Sequence, residues 1–365
     1  MKFINNIKIP FFIFFISLLI FGFDNKIYEA EHLILYKDKF INPLLINDFS
    51  LRITHALFTF TVNKITNIDH VTIAIVLNYV FTFLIIKKLF DLCKEKEFST
   101  RATIFILFSF IQTFSILHTF SYGIYFIICG IYFQLLYLTS RSPIKSSIFC
   151  LLTILTHPSF LFFMPLMVYY KNYKKLSIIK ILLNILFYSF IYLGVYGFLE
   201  LCNQYFTGVF FEGEVGEVVF YQHDKNMPII IRELLWRLTA NNFLLDQAKL
   251  LIFGIFIAFK CIWIISIYIL FKNFKFENIF FFILIFLGIL ANILLGADTT
   301  KYVSIILPCL FIFIVSNLKL FERIEQDLIV VILVIGNTII PTGATFANNI
   351  TFFNNTLLIY LSELL

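Results

Sequence analysis

Charge is what this sequence has least of. Asp, Glu, Lys and Arg make up 14% of its 365 residues, where a soluble domain carries about 25%. That deficit excludes a fully water-exposed surface. Paired cysteines are missing too. Cys93, Cys129, Cys150, Cys202, Cys261 and Cys309 stand singly with no C-x-x-C pair, which points away from a zinc site or a redox motif. Most lie in apolar runs, where cysteine behaves as a small hydrophobe. There is no basic stripe of the kind a nucleic acid needs. The net charge of +6 comes from Lys and Arg gathered in a few loops, a pattern that reports membrane orientation. Short segments of alternating apolar and polar residues are absent, which excludes a β-barrel. No internal repeat or low-complexity linker is evident, and no polar stretch is large enough to bury a core of its own.

Long apolar runs are there instead. Hydrophobic residues make up 60% of the chain, and many runs reach the roughly 18 residues that cross a hydrocarbon core of about 30 Å. They predict an all-α, polytopic transmembrane bundle of about ten spans, a single integral membrane domain over residues 1–365. The runs lie near 10–23, 71–89, 102–120, 122–139, 146–170, 176–199, 250–271, 279–295, 303–315 and 328–340. The first has a basic start but no A-x-A-like cleavage site after it, so it reads as a retained helix. Two longer polar loops, about 24–52 and 202–246, balance their bases with acids and are placed outside. Within the second, "MPIIIRELLWRLTANN" reads as an amphipathic helix lying on the membrane.

Orientation follows from the basic loops. Lys87, Lys88, Lys94, Lys96 and Arg101 fill one; Arg141 and Lys145, then Lys171, Lys174 and Lys175, fill two more. Lys272 with Lys275, and Lys319 with Arg323, complete the set. All should share the cytoplasmic side. Yet the loops flanking "LTILTHPSFLFFMPLMVYYK" both want that side, which a single crossing cannot give. Two half-helices meeting at His157–Pro158 can, because proline removes a backbone donor and disfavours α geometry in the residue before it. A re-entrant hairpin is therefore expected, with a kinked span as the alternative. The same parity makes Ile53–Ile65 an interfacial or partial helix.

Ionisable residues at membrane depth are costly and usually face a cavity or a partner. His157 at the expected hairpin tip fits a general base, or a phosphate ligand when protonated. The alternative is a ring that satisfies the opened backbone beside Pro158. Asp298 and Lys301 lie in "GADTTKY", an expected outer turn; Lys301 suits a phosphate and Asp298 an acid, base or orienting role. They equally suit a solvated turn. In the first long loop Asp24 and Asp48 are candidate acids, and Arg52 offers a fork for a diphosphate. Asp48 and Arg52, four residues apart, could instead form an ordinary helix pair. "FFEGEVGEVVFYQHDKN" carries Glu212, Glu214, Glu217, His223 and Asp224, which leaves a divalent cation open, but the spacing matches no EF-hand. No metal ligands and no certain cofactor are assigned. Asn78, Gln112, His118 and Lys260, in or near spans, read as inter-helix polar contacts or snorkelling side chains.

The stretch "TFSYGIYFIICGIYFQLLYLTSRSPIKSSIFCLLTILTHPSFLFFMPLMVYY" resembles the EpsG-like proteins of bacterial exopolysaccharide synthesis. The shared order is a basic loop (Arg141–Lys145), a small-residue helix, then His157, Ser159 and Pro165, with Lys301–Tyr302 as the late turn. The chain differs in having "SYGIYF" where an Arg-Gln pair is usual, and Lys in place of Arg in the late turn. It is also similar to multi-span glycosyltransferases that use polyprenyl-phosphate sugars. The resemblance implies a bacterial inner-membrane, multi-pass glycosyltransferase or polymerase of cell-surface polysaccharide. It would act on a lipid-linked sugar, alone or in a polysaccharide-synthesis complex. His157, Asp298, Asp24 and Asp48 would serve the chemistry, and Arg52 and Lys301 would hold the phosphate. A transporter or flippase of lipid-linked or small solutes is the rival, since transporters share broken mid-membrane helices.

Overall fold

A computed structural model describes residues 2–21, 53–119, 124–207, 252–293, 299–340, 342–346 and 349–353. Apart from one β hairpin these residues are helical. In chain order the helices are α1 (Lys2–Phe21), α2 (Ile53–Thr66), α3 (His70–Glu95), α4 (Thr100–Thr119), α5 (Ile124–Thr139), α6 (Pro143–Ile154) and α7 (Ser159–Asn172). Then follow α8 (Ile178–Thr207), α9 (Ile252–Phe259), α10 (Cys261–Lys272), α11 (Phe276–Ile293), α12 (Thr299–Ser304), α13 (Leu307–Leu318) and α14 (Arg323–Ile339). The strands β1 (Thr342–Phe346) and β2 (Asn349–Phe353) pair antiparallel, Thr342 opposite Phe353.

Local sequence explains several boundaries. The Asp69 carboxylate accepts from the Thr72 amide at 2.9 Å and starts α3, meeting one of the donors a helix leaves open. Ser142 caps α6, and Pro143 follows in the first turn, where a missing N–H is no loss. α8 runs on to Thr207, into the expected outer loop from 202. The strands depart from an all-helical expectation. Their Thr, Ile and Phe residues are of the types that favour a pleated sheet.

Among the described residues two helices are long and apolar enough to cross a bilayer, over Thr72–Glu95 and Ile178–Phe198. The α9–α10 pair makes a third if taken as one bent span. At 12 residues each, α6 and α13 rise about 18 Å, well under a bilayer core. Breaks interrupt runs that a hydropathy pattern reads through. One divides the run 250–271 at Lys260, where α9 and α10 meet at 88°; another separates α12 from α13.

The expected fold-back at His157–Pro158 is present. α6 ends at Ile154 and α7 begins at Ser159, with His157 in neither. A single continuous span would hold Ser146 and Lys171 about 37 Å apart. Instead the Lys171 ammonium donates to the Ser140 carbonyl at 3.1 Å, and also to the Tyr137 carbonyl and the Ser146 hydroxyl. The end of α7 thus returns to the start of α6. Outside it lies α8, which exposes Leu182, Leu186, Phe190 and Leu193, an apolar face suited to lipid.

The basic loops gather at one end of the bundle. Lys319 pairs with Glu97 at 3.2 Å, and Lys272 with Glu325 at 3.5 Å. Asn273 donates to Asn317 at 2.8 Å, and Tyr169, near the end of α7, meets Phe280, near the start of α11, at 4.7 Å. Exposed pairs of this kind contribute about 0–1 kcal/mol, so they report position more than stability. Cohesion comes from buried aromatic and aliphatic packing, including Phe110 against Phe311 and Phe281 stacked on Phe313.

Candidate functional site

The two half-helices leave carbonyls open where α6 stops. Thr54 at the start of α2 meets two of them. Its hydroxyl donates to the Leu152 carbonyl at 2.9 Å and its amide to the Leu155 carbonyl at 3.2 Å. On the other arm, Asn292 near the end of α11 donates to the Ser159 carbonyl at 3.4 Å and to the Gly288 carbonyl at 2.9 Å. Two glycines let helices close on the hairpin. A Cβ at Gly130 of α5 would strike the Phe160 ring and the Thr156 hydroxyl, and one at Gly288 would come within 2.5 Å of Phe163. Backbone left open away from water has to be covered by protein or water; at the end of α6 Thr54 covers it.

His157 sits at the tip and is 4% exposed. Its Nδ1 accepts the Ser159 amide at 3.2 Å. A nitrogen that accepts cannot carry the ring proton, so the neutral imidazole holds its hydrogen on Nε2. That tautomer makes Nε2 a donor, suited to a phosphate oxygen or a leaving-group oxygen, and unsuited to taking a proton. The Ser159 contact is the one expected of a ring that satisfies the opened backbone beside Pro158, the alternative to a functional role. The imidazole faces the Tyr302 ring, with centroids 6.0 Å apart and planes at 42°.

Tyr302 belongs to α12, the helix that also carries Lys301. From Thr299 on, the expected outer turn is a short helix, with Thr300 and Ser304 buried and the Ser304 hydroxyl donating to the Thr300 carbonyl at 2.8 Å. The tip therefore meets four separate parts of the chain: the start of α2, α5 at Gly130, the end of α11, and α12. Along α7 it lies about 21 Å from the basic end, taking 14 residues at 1.5 Å each.

Of the residues the sequence singles out, His157 is described in full and Lys301 through its place in α12. Asp24, Asp48, Arg52 and Asp298 lie outside the described residues, as do Glu212, Glu214, Glu217, His223 and Asp224. Arg52 immediately precedes α2, two positions before Thr54. Among the described residues no three His, Cys, Asp or Glu side chains converge as a metal site would need. Thr54 and Asn292 were not among the candidates. Asn292 had a legible signal, a lone amide four residues after Gly288 in an apolar run. Thr54 had none, because a cap on a distant helix leaves no local pattern. No protein-family model, curated protein or solved structure matches the chain.

Proposed function

We propose that the chain is a multi-pass membrane glycosyltransferase or polymerase of cell-surface polysaccharide, working on a lipid-linked sugar at the outer side of a bacterial inner membrane. One observation carries this reading. The broken hairpin sets His157 against Tyr302 of the Lys301 helix, and holds the same tip to Thr54, just after Arg52. A donor imidazole beside a helix bearing a lysine, with an arginine close in sequence to a third contact, suits a phosphate-linked donor. The gathering of the basic loops at the opposite end supports an outward-facing tip.

In this scheme His157 donates from Nε2 to a phosphate oxygen of the leaving group, and Lys301 and Arg52 balance its charge. Asp24, Asp48 or Asp298 takes the proton of the acceptor hydroxyl as that oxygen attacks the anomeric carbon. The bond from sugar to phosphate breaks and its electron pair leaves with the phosphate. Preorganised charge lowers the barrier.

The test is incorporation of radiolabelled sugar from a polyprenyl-linked donor into glycan, in membrane vesicles carrying the chain. His157→Ala is expected to lower the rate by about 10²–10⁴-fold, and Lys301→Ala and Arg52→Ala to raise the donor concentration needed. Lys174→Ala, in a basic loop, is the control and should be silent. Wild-type incorporation by His157→Ala and Lys301→Ala would sink the proposal.

A second reading has its own support. Two breaks, at His157 and at Lys260, lie at similar distances from the basic end, about 21 and 18 Å along α7 and α10. Paired broken helices are a feature of transporters and flippases. Reconstituted chain that moves a lipid-linked sugar across liposomes without extending it would favour this alternative.

A further inference from the structure

Lys260 takes no part in the scheme above, yet its setting is unusual for a charged residue. It joins α9 to α10 with φ 46° and ψ −120°, a backbone that glycine adopts freely and an L side chain resists. It is 2% exposed. Glycine would suit the turn better, so the presence of lysine has to be explained by what its ammonium reaches. Nζ donates to the Ile340 carbonyl at 2.9 Å and to the Asn337 carbonyl at 3.2 Å. These oxygens close the end of α14, where the carbonyls of a helix carry partial negative charge and favour a cation. Carbonyls at the ends of broken membrane helices are also ligands for small monovalent cations.

The surrounding contacts make a joint. The Asn337 side chain accepts the Cys261 amide at 2.9 Å and donates to the Ser109 carbonyl at 3.0 Å, tying α14 to α10 and α4. β1 starts two residues beyond Ile340 and packs on α12 and α4. Whatever fixes the end of α14 therefore fixes the strand that lies against the Lys301–Tyr302 helix.

We infer that the end of α14 is a monovalent-cation site that the chain fills with its own lysine, and that the filled site latches the β hairpin against α12. The latch goes beyond the glycosyl-transfer reading and would hold under the transport reading as well. Its test reads α12 directly and not glycan synthesis.

Thr300 on α12 is fully buried and serves as the reporter. Thr300→Cys is placed in a Cys202→Ser background, since the other five cysteines are buried. Its labelling by a small maleimide is followed in purified full-length chain. With Lys260 intact, labelling is slow. Lys260→Met, close in size but uncharged, should speed it about tenfold or more, as expected for loss of charged hydrogen bonds. Lys260→Gly removes ammonium and backbone strain together, so it keeps the test open should the methionine variant not fold. Lys260→Gly should also label fast, and methylammonium or K⁺ should slow it saturably, while bulky N-methylglucamine should not. Parental labelling by a folded Lys260→Gly variant would overturn the latch. Fast labelling that neither small cation slows would overturn the cation site.

Discussion

At the scale of single residues, a few polar side chains hold a mostly apolar chain in its folded-back form. Thr54 is the clearest. Its hydroxyl and amide satisfy two carbonyls at the end of α6. Leaving one such acceptor unpaired costs about 1–3 kcal/mol. Thr54→Val keeps the shape and deletes the hydroxyl, so its melting temperature in detergent should fall by that equivalent; an unchanged melt would mean the cap contributes nothing. His157 shows how a backbone contact selects chemistry. Composition and depth leave open a general base, a phosphate ligand and a ring that satisfies the backbone beside Pro158, and the Ser159 amide on Nδ1 is the contact the last of these expects. The Ser159 amide on Nδ1 fixes the tautomer and with it the direction of proton donation.

At the scale of elements, the hairpin of α6 and α7 depends on closure at its base as well as on the break at its tip. Lys171 supplies that closure, reaching carbonyls at the end of α5 and just beyond it, and a hydroxyl on α6, with its ammonium 4.4 Å from the Tyr137 ring centre. Lys171→Met should destabilise the chain by about 1–3 kcal/mol, with Lys171→Arg retaining most of the stability. Equal melting of wild type and Lys171→Met would show that tip and packing suffice. The hairpin was legible because Pro158 and the flanking charges leave marks in one dimension. The bend at Lys260 was not. Neither proline nor glycine announces it, and an ammonium satisfied by carbonyls some 80 residues away has no local signature.

At the scale of the whole molecule, the gathering of the basic loops predicts a common compartment for both ends of the hairpin. Single cysteines at positions 145 and 173, introduced in intact cells, should both be shielded from an impermeant outside reagent. Labelling of the two from opposite sides would make the segment a crossing, in conflict with the Lys171 contacts. The count of full crossings changes with the breaks. Runs that look continuous are divided at His157–Pro158 and Lys260, and α12 is set off from α13, so length in sequence overstates length along the membrane normal.

Hydropathy and the basic loops were enough, by themselves, to identify a helical chain with apolar segments suited to a membrane, to place the fold-back at His157–Pro158, and to nominate His157 and Lys301. Those properties are carried by residue type and by neighbours close in the chain. Tertiary structure decided that α12 is a helix facing His157, that Thr54 covers the opened end of α6 while Asn292 joins α11 to α7, and that Lys260 ends in the carbonyls of α14. Each depends on which helices lie side by side, and a run of apolar residues packs equally well against many partners until polar groups, left without water, select the one arrangement that satisfies them.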